Sequence, residues 1–256
     1  MSLLKLLLNT AVPLPRIENC QRFLFVGPHP DDIEIGAGAT AAALAAGGKT
    51  IRFLICTDGR YGTANRPDIP PEEMAEIRKK ESLAAAAELG VDSVRFLDLC
   101  DGGFYDPAEL KSRIAAEIGE FQPEVVFGPD PCVTSECHRD HLNVGEAVRE
   151  VAHFAPYAGI MERYGAKAAP VEAIAYYYTA SPNRFVDTTG FFNRQQKALF
   201  GCHVSQFPEN SADRKSVALY LKLRAFDFGV RSFHRTAEGF RVLGRTQMHC
   251  FPEAGR

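Results

Sequence analysis

The feature that most constrains the fold is an alternation of short apolar runs with helical stretches in the first half of the chain. The apolar, β-rich runs are 22–27, 51–56, 94–97 and 124–127, and the helical stretches are 38–46, 71–89, 106–121 and about 141–154. The helix at 71–89 has the clearest ends, because prolines and two glutamates mark its start and Gly90 marks its stop. The sequence therefore predicts the order βαβαβαβα.

This order determines the expected fold class. Strands separated by helices of this length pair in parallel through right-handed crossovers, and helices cover both faces of the sheet. We therefore expect a three-layer, Rossmann-like α/β fold with a mostly parallel sheet. Beyond Pro156 the rhythm changes, with a β-like run at 172–179, helices at 191–203 and 212–226, and a last strand at about 239–247. No repeat or linker separates the halves, so we expect a single domain over residues 1–256.

Charge and cysteine content exclude several classes of partner. The chain has 29 basic and 32 acidic residues, a formal net charge of -3, and therefore no bulk attraction to nucleic acid or an anionic membrane. No run approaches the roughly 18 apolar residues of a transmembrane helix. The seven cysteines are odd in number and form no C-x-x-C, which indicates a reducing, cytoplasmic location. Residues 194–245 hold ten Lys/Arg against four Asp/Glu, and we interpret this excess as a solvated face or a subunit contact rather than an anion site.

The first chemical signal is the run PHPDDIE at 28–34, directly after the first predicted strand. It places one imidazole and three carboxylates at the carboxyl end of a buried strand. Crowded carboxylates repel one another and resist desolvation, so a cation should compensate them. His29 and Asp32 lie three residues apart across a turn fixed by Pro30, and imidazole nitrogen with carboxylate oxygen suits Zn²⁺.

The second signal is HRDH at 138–141, after the fourth predicted strand and at the start of a helix. In a doubly wound sheet of order 3-2-1-4, strands one and four are neighbours, and a crevice opens between them where their helices leave to opposite faces. Both polar runs are therefore expected to open into one cleft. Their convergence is stronger evidence than either run alone.

We predict that His29, Asp32 and His141 bind the metal. Three protein ligands and an open fourth position are typical of a catalytic zinc, because the open position accommodates a reacting water. Asp31 cannot easily reach the same ion from the adjacent position, so we expect it to act as the general base.

The remaining members of HRDH receive supporting roles. His138 is expected to stabilise the developing oxyanion, and Asp140 to orient one of the histidines. The reaction that these residues imply is hydrolysis of an amide or ester carbonyl.

The run PHPDDIEIGAGAT at 28–40, together with HRDH at 138–141, resembles the LmbE-like or PIG-L family of zinc-dependent N-acetylglucosaminyl deacetylases. The resemblance includes TDGRYGT at 57–63 and covers about 22–206, which leaves 207–256 as a C-terminal extension. It implies hydrolysis of the N-acetyl group of an amino sugar or its conjugate, with Zn²⁺ as cofactor and the same site roles. It also implies that Arg78 and Asp101 contact the sugar, and that the protein is a homo-oligomer, as the family includes hexamers.

Two alternative kinds of site stay open at this point, together with alternative roles for single residues. Gly36, Gly38 and Asp58 fit a permissive dinucleotide-binding fingerprint, but the carboxylates at 31–34 would then face a pyrophosphate. A structural zinc site from Cys132, Cys137, His138 and His141 has poor spacing and leaves the first run unexplained. Arg78 and Glu81 could form a plain helix ion pair. His203 is as well explained by packing as by substrate contact.

Overall fold

The computed structural model describes residue 8 and residues 10–249. A seven-stranded sheet has the order β3-β2-β1-β4-β5-β7-β6. The strands are β1 Arg22–Gly27, β2 Thr50–Thr57, β3 Ser93–Leu99, β4 Val125–Pro129, β5 Ala173–Tyr177, β6 Arg184–Asp187 and β7 Ala237–Gly244. The first five strands pair in parallel, and β7 is antiparallel to both β5 and β6. The predicted mostly parallel sheet is therefore confirmed.

Helices connect the strands in the predicted order. They are α1 Asp32–Ala46, α2 Pro71–Leu89, α3 Pro107–Phe121, α4 Arg139–Phe154, α5 Ala158–Arg163, α6 Phe192–Lys197 and α7 Ala212–Ser232. Helix α2 has the predicted bounds because Pro71 fits the first turn and Gly90, at φ 82°, forms a left-handed cap. Among the described helices, none is long and apolar enough to cross a bilayer.

The core lies in two layers, one on each face of the sheet. Alternate residues of β1 point to opposite faces, so Phe23 and Phe25 belong to one layer and Leu24 and Val26 to the other. Phe25 stacks on Phe127 of β4 with ring centroids 4.2 Å apart. This packing holds β1 and β4 side by side, and the cleft between their following helices lies at the strand-order reversal.

The second half of the chain departs from the expected elements in detail. The predicted helix at 191–203 is divided into α6 and a π-helical turn, Ala198–Cys202. Helix α7 continues to Ser232, six residues beyond its predicted end. The predicted last strand is β7, and it lies between β5 and β6, so the C-terminal part of the chain supplies a strand of the sheet.

Candidate metal centre and active site

The first polar run forms the turn from β1 into α1 and the first turn of that helix. Helix α1 begins at Asp32, six residues before the predicted start at Gly38. Asp31 precedes it with φ 130° and ψ -23°, a conformation that is strained for any residue with a side chain. The backbone N–H of His29 donates to Asp32 Oδ2 at 2.9 Å, which closes the turn.

His29 lies between two carboxylates. Its Nδ1 is 3.0 Å from Asp32 Oδ2, and its Nε2 is 2.9 Å from Asp140 Oδ2. Burial disfavours the charged imidazolium, but the hydrogen bonds to Asp140 and Asp32 outweigh it and raise the pKa of His29 to about 10. The surroundings of His29 therefore favour a positive charge at this point of the cleft.

His141 has the same arrangement on the other side of Asp32. Its Nε2 is 3.3 Å from Asp32 Oδ2, and its Nδ1 is 3.0 Å from Glu136 Oε2. The ring of Tyr178 stacks on His141 at 5.7 Å, and its hydroxyl donates to Asp32 Oδ1 at 3.1 Å. Each histidine thus has one nitrogen paired with an outer carboxylate and the other directed at Asp32, the pattern that orients histidine ligands in metal sites.

These spacings fit a single metal ion. Bonds of 2.0–2.1 Å in tetrahedral geometry place neighbouring ligand atoms about 3.3 Å apart. The Asp32 Oδ2 distances to His29 and His141, 3.0 and 3.3 Å, are close to that value. Nitrogens of His29, His138 and His141 also lie within 4.8 Å of one another. The predicted convergence of the two polar runs is therefore present in the fold.

His138 differs from the other two histidines because its side chain is about half exposed, at 47%. It caps α4, and its Nδ1 accepts the backbone N–H of Asp140 at 3.2 Å. Burial, with the nearby charges of His29 and His141, lowers its pKa, so the neutral ring is favoured. With Nδ1 as an acceptor, the proton of the neutral ring is on Nε2, which is left to donate.

Asp140 is fully buried and joins the two polar runs. Oδ2 accepts from His29 and from the Gly102 N–H at 2.7 Å, and Oδ1 accepts from the Gly103 N–H at 2.8 Å. Gly102 and Gly103 have φ 81° and 79°, a conformation that lets successive N–H groups face one anion. Burial opposes its ionisation, but these bonds lower the pKa of Asp140 below the usual value.

Arg78 contacts Asp31. One guanidinium nitrogen, Nη2, donates to Asp31 Oδ2 at 3.1 Å and to the Pro30 carbonyl at 2.7 Å, and Nη1 donates to the Gly59 carbonyl at 3.1 Å. A Cβ on Gly59 would lie only 2.3 Å from Nη1, so glycine leaves room for the guanidinium. Burial raises the pKa of Asp31 to about 6 despite this cation.

The alternative ion pair between Arg78 and Glu81 is replaced by other contacts. Glu81 accepts from the backbone N–H and the hydroxyl of Ser205, at 2.8 and 2.7 Å. Arg78 is only 4% exposed, and its predicted contact with a sugar stays a prediction.

The rim of the cleft carries Asp101 and two exposed aromatic residues. Asp101 is buried and accepts the Tyr61 N–H at 3.2 Å. The rings of Tyr61 and Phe104 meet edge to face at 6.2 Å, and they are 53% and 73% exposed. Phe104 follows Gly103 directly, so this pair lies beside the loop that holds Asp140. The contact of Asp101 with a sugar stays a prediction.

The structure does not support the alternative of a dinucleotide-binding site. Gly36 and Gly38 lie inside α1 rather than in the strand-to-helix turn, where a Cβ would meet Tyr177 at 2.3 Å and Gln195 at 3.1 Å. These glycines permit close packing, so the dinucleotide fingerprint is not formed.

The remaining candidates also have structural explanations. Cys132 and Cys137 are exposed free thiols outside the histidine cluster, and all six cysteines in the described part are free, Cys250 lying outside it. His203 is completely buried, and its Nε2 is 3.4 Å from Glu34 Oε1, which agrees with a packing role.

Sequence reasoning missed two residues of this site, Glu136 and Tyr178. Glu136 precedes His141 by five residues in a loop, and Tyr178 follows β5. Only their nearness to HRDH and to a predicted strand end could have suggested them. Both reach the site through the tertiary fold.

Comparisons with known proteins agree with this fold and site. The family model PIG-L, described as GlcNAc-PI de-N-acetylase, matches residues 24–152. The diacetylchitobiose deacetylase of Thermococcus kodakarensis is 32% identical over 237 residues, which are 91% of this chain and 87% of that protein. The 1D-myo-inositol 2-acetamido-2-deoxy-alpha-D-glucopyranoside deacetylase of Kineococcus radiotolerans is 32% identical over 201 residues, 67% of this chain and 55% of that protein.

A solved deacetylase structure has a similar fold. The N,N'-diacetylchitobiose deacetylase of Pyrococcus horikoshii, in complex with an inhibitor, superposes with a TM-score of 0.85 and 29% identity, over 97% of this chain and 94% of that chain. The fold, the histidine cluster and these relatives define a hydrolase of the N-acetyl amide bond. The chain belongs to the PIG-L family of de-N-acetylases.

Proposed function

We propose that the protein is a zinc-dependent deacetylase that removes the N-acetyl group from an N-acetylglucosamine-type sugar or its conjugate, releasing acetate and a free amine. The observation that carries the proposal is the position of Asp32 Oδ2, within 3.0 Å of His29 Nδ1 and 3.3 Å of His141 Nε2. The names of the relatives support the amino-sugar substrate.

In this proposal, His29 Nδ1, Asp32 Oδ2 and His141 Nε2 hold the metal. Asp140 and Glu136 fix the two imidazoles through their other nitrogens, at 2.9 and 3.0 Å. Zinc bound there would supply a Lewis acid that polarises the amide carbonyl and makes the attacking water more acidic.

Three other side chains act on the reacting groups. Asp31, beside the ligand Asp32, accepts the proton of the attacking water and delivers it to the leaving amine. His138 donates its Nε2 proton to the developing oxyanion, because its Nδ1 already accepts the N–H of Asp140. Arg78 is a positioning residue for Asp31. Its hydrogen bond of 3.1 Å fixes the carboxylate of Asp31, whose backbone conformation is strained.

The rim suggests that the substrate carries more than one ring. Tyr61 and Phe104 are large, exposed and in mutual contact, which is unusual for a surface and typical of a binding platform. We propose that this aromatic pair contacts the group attached to the amino sugar, and that Asp101 and the guanidinium of Arg78 face its hydroxyls.

Further expectations concern the chain as a whole. We propose that residues 1–256 form one deacetylase domain with a core at 22–206 and an extension at 207–256. The odd number of cysteines and the lack of a C-x-x-C pair support a cytoplasmic location. We also propose a homo-oligomer, with a small-molecule substrate rather than a nucleic acid or membrane partner.

The experiment that tests the proposal is an acetate-release screen over N-acetylglucosamine and its conjugates, with metal content measured on the same sample. We expect release that requires about one Zn²⁺ per chain and is lost in Asp31→Asn with the metal retained. Release by chelated protein, or none from any N-acetylated amino sugar by zinc-loaded protein, contradicts it.

A further inference from the structure

Tyr178 has a strained backbone directly beside the histidine cluster. It follows the last residue of β5, and its φ of 55° lies in the left-handed region, which is unfavourable for a bulky side chain. Its ring lies parallel to that of His141, with an interplanar angle of 7° and centroids 5.7 Å apart. Strain of this kind persists where the surrounding structure fixes the residue, and it is concentrated at active sites and ligand clamps.

Contacts on both sides hold Tyr178 in this conformation. The ring of Tyr177 meets its ring edge to face at 4.9 Å, and the Tyr177 hydroxyl donates to the Val26 carbonyl of β1 at 2.7 Å. The carbonyl of Thr179, the next residue, accepts from Arg224 Nη2 of α7 at 3.2 Å. The sheet on one side and α7 on the other therefore fix the place from which Tyr178 reaches the cluster.

The two carboxylate oxygens of Asp32 have different partners. Oδ2 accepts the backbone N–H of His29 and lies 3.0 and 3.3 Å from ring nitrogens of His29 and His141. Oδ1 accepts the hydroxyl of Tyr178 at 3.1 Å. The same hydroxyl lies 3.2 Å from the Asp32 carbonyl, but a charged acceptor forms the stronger hydrogen bond, so Oδ1 is favoured. Tyr178 thus engages one oxygen of Asp32 while the other faces the histidines.

This division is important because a carboxylate can bind a metal through one oxygen or through both. A second oxygen would add a ligand at the position that a catalytic zinc keeps open for water or substrate. We propose that Tyr178 is a positioning residue that limits Asp32 to one-oxygen coordination and thereby keeps this position open. The inference rests on the proposed zinc centre and deepens it.

The stacking of Tyr178 on His141 is a separate contribution to the same ligand set. The parallel ring restricts rotation of the imidazole, whose Nδ1 is already paired with Glu136 Oε2 at 3.0 Å. Phenylalanine at position 178 would keep this stacking and lose only the hydroxyl. The effect of the hydrogen bond to Oδ1 can therefore be measured by itself.

Tyr178→Phe in the full chain loaded with Co²⁺ tests the proposal. With Oδ1 released, we expect a higher coordination number, which weakens the visible d–d absorption of Co²⁺. In the zinc form, kcat should fall about 10- to 100-fold, as it does when outer hydrogen-bond partners of metal ligands are removed. It should stay low at saturating zinc, with KM changed less than about threefold, because the hydroxyl acts through Asp32 rather than on the substrate.

Tyr176→Phe is the matched control. Tyr176 lies two residues earlier in β5 and is 2% exposed, and its hydroxyl has no hydrogen-bond partner in the described part of the chain. We expect this variant to leave both the Co²⁺ spectrum and kcat unchanged. Circular dichroism checks that both variants are folded.

The outcomes separate this inference from the proposed function. An unchanged Co²⁺ spectrum in Tyr178→Phe overturns the inference alone, and so does an equal spectral change in Tyr176→Phe. A rise in KM with unchanged kcat overturns it in favour of a direct substrate contact. A wild type that binds neither Co²⁺ nor zinc contradicts the metal centre and the inference together. Because the spectrum is recorded without substrate, it decides the role of Tyr178 even if no acetate is released from the sugars tested.

Discussion

Replacing Asp140 by Asn tests how the two polar runs are joined. The carboxylate of Asp140 accepts three hydrogen bonds, from His29 Nε2 and from the N–H groups of Gly102 and Gly103. The best amide orientation keeps its oxygen on His29 and Gly102, and its NH₂ then faces the Gly103 N–H. The partly buried N–H of Gly103 loses its acceptor and His29 loses an ionised partner, at a cost of about 1–3 kcal/mol.

This loss should appear mainly as weaker metal binding. His29 is held less firmly with its Nδ1 toward the metal. A loss of about 1.4 to 2.8 kcal/mol in binding free energy corresponds to a 10- to 100-fold lower zinc affinity, which is the range known when an outer hydrogen-bond partner of a histidine ligand is removed. Competition with a chromophoric chelator measures the affinity. Turnover should recover largely at saturating zinc, because Asp140 touches no reacting atom in our proposal.

A matched control separates this effect from loss of a buried carboxylate in general. Asp130 is 5% exposed and accepts the Cys132 N–H at 3.0 Å, and no contact links it to the histidines. Asp130→Asn should therefore keep zinc affinity within about threefold of the wild type. The reasoning is refuted if Asp140→Asn binds zinc as tightly as the wild type, or if its turnover stays low at saturating zinc.

Three further predictions concern the same cleft. His29→Ala should lose zinc while Asp31→Asn keeps it and loses at least about 100-fold in kcat, as removal of a general base does; metal analysis beside turnover decides, and full zinc occupancy in His29→Ala would contradict the ligand set. Arg78→Lys cannot make all three hydrogen bonds, so kcat should fall about tenfold or more with a smaller change in KM; a rise in KM alone would indicate a sugar contact without positioning of the base. Phe104→Ala should raise KM about fivefold or more for a disaccharide and leave the KM for N-acetylglucosamine unchanged. Equal changes in KM for both substrates would exclude the aromatic pair as a contact for the group attached to the sugar.

The fold was largely predictable because its signals are local and redundant. Both ends of helix α2 could be predicted to the exact residue, because a proline and a glycine mark them. The predicted end of helix α7 is six residues too early, because the helix ends at Ser232 with Phe233 as a left-handed cap, which the sequence does not signal as a glycine would.

The site was predictable only in part, because local sequence patterns encode some of its contacts and not others. The three-residue spacings in PHPDDIE and HRDH, with strand order 3-2-1-4, were enough to bring His29 and His141 together. The contacts of Glu136 and Tyr178 depend on the path of a loop and on the end of β5, which no local pattern encodes.

The most direct test of the account is a zinc-edge anomalous difference map from crystals grown with Zn²⁺. The account predicts one strong peak per chain, about 2.0–2.2 Å from His29 Nδ1, Asp32 Oδ2 and His141 Nε2. A peak bound by His138 without Asp32, or no peak in this cleft from an active, zinc-containing preparation, contradicts the central claim.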